Sequence, residues 1–175
     1  MEYDKWFYLK TPICSFDAKT GVLCAKCEAR LESGHLTPAE IEVSIKLTRL
    51  AEQVQEVNKF TIVGAAKSEG DCVLFLRGPD ISFLRSNSEL LKRVEEELDG
   101  AVWLVEAQAT DRRFMENLFF PAKVLSMNFF WLPDGKKLTR VLIDRKDPAN
   151  DLKALRIQEI AKLLRNIELI IEYES

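Results

Sequence analysis

The feature that most constrains this chain is a repeated order of predicted elements: a helix, two strands joined by a tight turn, a second helix and a closing strand. In the first copy, Thr37 fits a helix N-cap, Pro38 the first helical position and Glu40 the third residue of a capping box. Val43, Leu47, Leu50, Val54 and Val57 then recur in alternating fours and threes, which makes one apolar stripe suited to facing a core. A strand is expected from Phe60 to Ala66, a turn at Ser68-Glu69-Gly70-Asp71 and a strand from Cys72 to Arg77, broken by Gly78-Pro79. A helix carrying Leu90, Leu91, Val94 and Leu98 ends at Asp99-Gly100, and Ala101 to Ala107 closes the copy as a strand.

The second copy follows the same order. Asp111 to Phe120 reads as a helix stopped by Pro121. Strands are expected from Lys123 to Leu132 and from Lys137 to Asp144, joined by Pro133-Asp134-Gly135. After the polar stretch Arg145 to Asp151 comes a helix with Leu152, Leu155, Ile160, Leu163 and Leu164, then a strand from Ile167 to Tyr173. Hairpins alternating with helices predict an α+β fold with helices on one face of each sheet. The implied organisation is an N-terminal segment 1–36, a first unit 37–109 and a second unit 110–175, with the join near Gln108-Ala109-Thr110.

Composition narrows the function classes. The net charge is −3, so the chain is not a generally basic nucleic-acid binder. Residues 1–58 carry 7 basic and 9 acidic side chains, residues 59–109 carry 6 and 9, and residues 110–175 carry 12 and 10. Phosphate affinity therefore depends on whether cations gather on one face. No apolar run is long enough to span a bilayer, and the opening MEYDKWFYLK has no signal-peptide core. With 4 cysteines and no export signal, a reducing cytoplasm is the expected setting.

Three segments resemble the archaeal NusA-like family of tandem KH-domain proteins. The run Asn117 to Asp147 is similar to that family's second KH unit, in which a P-A-x-V-L stretch leads into a W-L-P-D-G hairpin, here Pro121 to Leu125 and Trp131 to Gly135. The N-terminal cysteine segment with its capped helix resembles the family's opening. The resemblance implies two type II KH-like units (α-β-β-α-α-β each), RNA binding, and a role in transcription elongation or termination.

Two departures from the family pattern stand out. RNA-binding KH units carry G-x-x-G between two helices, where backbone approaches phosphate closely. The matching position here is Arg85-Ser86-Asn87-Ser88, with both glycines gone. Either Arg85, Ser86 and Asn87 still meet phosphate, or a Ser or Asn simply caps the next helix. The second unit offers Asp147-Pro148-Ala149-Asn150, whose acidic residue repels phosphate. The other departure concerns zinc. The family has two C-x-x-C pairs; here the spacing is Cys14-x2-Asp17-x6-Cys24-x2-Cys27. A carboxylate is an allowed zinc ligand, so the choice is between a Zn2+ site of Cys14, Asp17, Cys24 and Cys27 and a cluster of free cysteines. His35 is a weaker candidate, and no thioredoxin-like pattern surrounds Cys24 and Cys27.

Lys136, Lys137 and Arg140 gather at the second hairpin, with Arg145 following, and these join Arg85 as candidate RNA contacts. Lys136 and Arg140 are separated evenly, which in a strand places them on one side. They form either a basic strip or a sheet edge guarded by lysines. Phe119, Phe120, Phe129, Phe130 and Trp131 are aromatic runs for which burial is the expectation and base stacking the alternative. No P-loop, dinucleotide fingerprint or nucleophile–histidine pattern is present, so neither an enzyme nor a small-molecule substrate is expected. The expected partner is single-stranded RNA; the alternative is a protein scaffold docking on RNA polymerase or the ribosome. A membrane is not an expected partner.

Overall fold

A computed structural model describes residues 8–144 and 150–174. The chain divides into two compact units, Met1–Gln108 and Ala109–Ser175. The first contains α1 (Ser15–Thr20), α2 (Ala25–Glu32), α3 (Pro38–Gln53), a 3-10 turn (Gln55–Lys59), β1 (Ile62–Ser68), β2 (Asp71–Leu76), α4 (Gly78–Ser86), α5 (Ser88–Leu98) and β3 (Val102–Glu106). The second contains α6 (Asp111–Phe119), β4 (Val124–Trp131), β5 (Lys137–Ile143), α7 (Asn150–Arg165) and β6 (Glu168–Tyr173). The protein is α+β, with two separate three-stranded sheets.

Both sheets share one plan. β2 lies between β1, to which it is antiparallel, and β3, to which it is parallel. β5 lies between antiparallel β4 and parallel β6 in the same way. A parallel neighbour demands a crossover, and helices supply it: α4 and α5 in the first unit, α7 in the second. The family resemblance implies two helices at this point in each unit. Among the described residues the second unit has α7 alone, and the predicted polar stretch at 145–149 lies outside them.

In the first unit, α3 begins with the full capping box. The Thr37 hydroxyl accepts from the Glu40 N–H, and the Glu40 carboxylate accepts from the Thr37 N–H at 2.8 Å. Val43, Leu47 and Leu50 are buried with Val57, Leu74, Leu76, Leu84 and Val94 in one core. Lys46 ties α3 to the end of α5, donating to Asp99 at 2.7 Å and lying 3.1 Å from Glu42.

Gly78-Pro79 ends β2 but also opens α4, the first of the two helices that the family resemblance implies at this point and that apolar spacing alone does not mark. Proline at a helix's first turn loses no intrahelical bond. Asp80 fixes this start: it accepts from the Arg77 side chain at 3.0 and 3.2 Å and from the Thr61 N–H at 3.1 Å.

In the second unit the buried side of α7 is Ile157, Ile160 and Ala161. Leu155 and Leu163 of the same helix are exposed. Phe114, Met115, Leu118 and Phe119 of α6 are buried.

The turn between β1 and β2 has Glu69 at φ 46° and Gly70 at φ 92°, the positive pair that matches strand twist in a two-residue hairpin. A Cβ placed on Gly100 would collide with the Gly70 carbonyl oxygen. Gly100→Ala is expected to lower stability by about 1–3 kcal/mol, the usual cost of overpacking. Urea unfolding should show a lower midpoint with an unchanged slope.

Candidate metal centre and nucleic-acid interface

Within residues 1–36, whose sequence shows no clear periodicity, two short helices assemble the cysteine cluster. Cys14 is the N-cap of α1 and Asp17 lies in its first turn; Cys24 is the N-cap of α2 and Cys27 lies in its first turn. Each pair therefore occupies the same two helical positions, and Gly21, at φ 75°, ends α1 and returns the chain toward α2. Lys10 bridges to Thr61 outside the segment, and within it the Arg30 guanidinium donates to the Pro12 carbonyl at 2.8 Å. Ile13, Ala18, Cys27 and Leu36 form a small core of their own, backed by Ile41 and Ile45 of α3.

One ligand atom from each of Cys14, Asp17, Cys24 and Cys27 lies within 4.8 Å of the others. A tetrahedral zinc with Zn–S bonds of ~2.3 Å places its ligands ~3.8 Å apart, so only a small contraction separates this arrangement from a closed site. Asp17 is completely buried, and its Oδ2 accepts from the Cys24 N–H at 3.0 Å. Its Oδ1 is buried with no hydrogen-bond partner. A buried carboxylate oxygen left open among three thiols fits a metal ligand better than a packing role. These four residues could hold a metal ion. His35 lies outside the group, 2.8 Å from the Ser33 hydroxyl. Cys72 is a core residue of β2 whose burial pushes its thiol up to about 11.

The electrostatics describe the metal-free site. The Cys24 N–H, and then the Cys27 thiol, hold the Asp17 carboxyl down to about 2 against the cost of burial. Its stabilising effect is complete above the ordinary carboxyl range and is lost as pH falls toward 2. For Cys27, a backbone hydrogen bond at Cys14 favours the thiolate, but the neighbouring Asp17 carboxylate and burial prevail, leaving the thiol at about 11. Without metal, Asp17 is charged and Cys27 is protonated beside it.

The candidate RNA contacts fall in two places. Arg85 and Ser86 end α4, Asn87 stands alone between helices, and Ser88 begins α5. Asn87 has φ −119°, not a left-handed conformation, and its Oδ1 accepts from the Leu90 N–H at 3.1 Å. The four residues thus make a helix-to-helix corner with an asparagine cap.

At the second hairpin, Lys137 sits opposite Trp131, and Arg140 sits opposite Asn128. Lys137 and Arg140 are three residues apart in β5 and so project from opposite faces. Lys136 precedes β5, its N–H donating to Asp134, so strand alternation does not pair it with Arg140. Arg140 is bound to Glu172 at 2.5 Å. Arg145 lies outside the described residues. Burial holds for Phe119 but not for the rest of the aromatic run: Phe129, Phe130 and Trp131 are 46%, 44% and 72% exposed.

No family model matches the chain, and no curated protein matches it. Among solved structures it is similar to the crystal structure of APE1850, with a TM-score of 0.50 and 15% identity over 72% of this chain and 96% of that one. That likeness concerns the fold alone. No helix among the described residues is long and apolar enough to cross a membrane.

Metal binding to three thiols and an already ionised carboxylate should release roughly three protons near neutral pH. Asp17→Cys should raise the release by roughly one and tighten binding. Calorimetry of Zn2+ addition in buffers of different ionisation enthalpy measures both.

Proposed function

We propose that this protein is a single-stranded RNA-binding factor of the tandem KH type, acting in transcription elongation or termination, with a zinc-bearing N-terminal segment. The shared strand plan supports the architecture, since each unit sets a central strand between an antiparallel and a parallel neighbour. The observation that carries RNA binding is the second hairpin. From Lys123 to Asp144 the chain holds four cations, Lys123, Lys136, Lys137 and Arg140, against two carboxylates, Asp134 and Asp144, although the protein's net charge is −3. A local excess of that kind is what phosphate contact needs. Zinc fits because thiolate-rich, four-ligand sites suit it, and the buried Asp17 supplies the fourth donor.

The corner at Arg85–Ser88 favours a second reading. With no glycine and with Asn87 engaged as a cap, the first unit offers no close backbone approach to phosphate. On that reading the fold is a scaffold that docks on RNA polymerase or the ribosome.

Filter binding of single-stranded RNA across a salt series separates the two. Affinity should fall steeply with salt, and replacing both Lys136 and Lys137 by alanine should reduce the slope by about two. Arg140→Ala should have a smaller effect, because Glu172 already neutralises that cation. Arg85→Ala should change little. Absence of RNA binding at about 50 mM salt would leave the scaffold reading in its place.

A further inference from the structure

The aromatic run at the second hairpin is arranged in a way that its sequence does not disclose. Phe129 pairs across the sheet with Thr139, and Trp131 pairs with Lys137. Because directly paired residues share a face and alternate residues repeat it, Phe129, Trp131 and Lys137 stand on one side of the hairpin. Phe130, paired with Leu138, stands on the other. The pairing of β5 with β6 begins at Leu138–Glu168, so the Trp131–Lys137 pair lies one step beyond the third strand. The Lys137 ammonium sits 3.9 Å from the Phe129 ring centroid. Trp131, at 72% exposure, is the most exposed large apolar side chain among the described residues.

The geometry points to a stacking site for unpaired nucleic-acid bases on this one face: we infer that Trp131 and Phe129 contact successive bases, with the Lys137 ammonium moving from the Phe129 ring to a flanking phosphate when a base docks. Residues two apart in a strand rise by ~6.7 Å, close to twice the ~3.4 Å repeat of stacked bases, a spacing that suits contact with neighbouring bases. Aromatic faces bind bases with little regard to sequence, and adjacent cations hold the backbone. Charge complementarity selects the occupant, because Lys137 stands beside the rings and the chain from Lys123 to Asp144 carries four cations to two carboxylates. A duplex hides its base faces and cannot use such a site. This inference rests on the RNA-binding reading above and adds the ligand's form, single-stranded with exposed bases, and the residues that take it.

The test uses the full chain and fluorescein-labelled single-stranded oligoribonucleotides, with the same strands annealed as a duplex for comparison. Fluorescence anisotropy should show single strands binding more tightly than the duplex. Trp131→Ala and Phe129→Ala should each weaken binding by roughly five-fold or more while leaving the salt slope unchanged. Lys137→Ala should reduce that slope by about one. Phe130→Ala, on the opposite face, should stay within two-fold of the parent. All four positions are exposed, and thermal melts should confirm that the variants fold. If the lysine variant weakens RNA binding while both ring variants on the proposed face match Phe130→Ala, the stacking site is wrong and RNA binding itself stands. If no RNA binds at low salt, both readings fall. If Trp131→Ala instead abolishes co-sedimentation with purified, nucleic-acid-free RNA polymerase while RNA affinity is unchanged, the rings serve a protein partner and the inference is overturned.

Discussion

The structure depends on a pairing constraint imposed twice. A central strand that is antiparallel to one neighbour and parallel to the other cannot be completed by turns alone. The parallel partner must be reached by a crossover. In the first unit that requirement places α4 and α5 between β2 and β3. The core that joins α3, α5 and the sheet then follows from burying the resulting apolar faces. In the second unit α7 meets the same requirement between β5 and β6.

The N-terminal segment solves a different problem. Its own core is four buried residues, Ile13, Ala18, Cys27 and Leu36, too small to hold two short helices by apolar burial alone. The Lys10–Thr61 bridge ties its start to the rest of the first unit, and the Arg30–Pro12 bond joins that start to α2. The cysteines and Asp17 meet at its centre, where one bound ion would close both helical N-termini at once. The carboxylate differs from a fourth thiol in one physical respect: its charge is already present before any metal arrives.

Much of this was legible in sequence wherever a local rule acted alone. The Thr37–Glu40 box, the Asp99 left-handed end of α5 and both hairpins were readable, because capping and turn chemistry are decided by a few adjacent residues. α4 was legible only through the family resemblance and not from local signals, because Pro79 serves equally well as a breaker and as a first-turn residue, and the anchoring of Asp80 to Arg77 and Thr61 is a tertiary fact. α1 and α2 were missed because each is too short to show a helical period. The ligand set was legible through its spacing, but the unpartnered buried oxygen of Asp17 was not. The aromatic run misled at the hairpin: hydrophobicity argued for burial, while Phe129, Phe130 and Trp131 are exposed and β6 stops one step short of the Trp131–Lys137 pair.

The two hairpin turns differ in how much change they can absorb. At the first, the Gly70 carbonyl occupies the place a β carbon on Gly100 would take, so the turn and the end of the helix are closely fitted backbone to backbone. At the second, nothing lies within 4 Å of the place a side chain would occupy on Gly135. Length variation among related chains should therefore gather at residues 133–135 and avoid residues 69–70. A reporter group inserted in the protein would be best tolerated at the former.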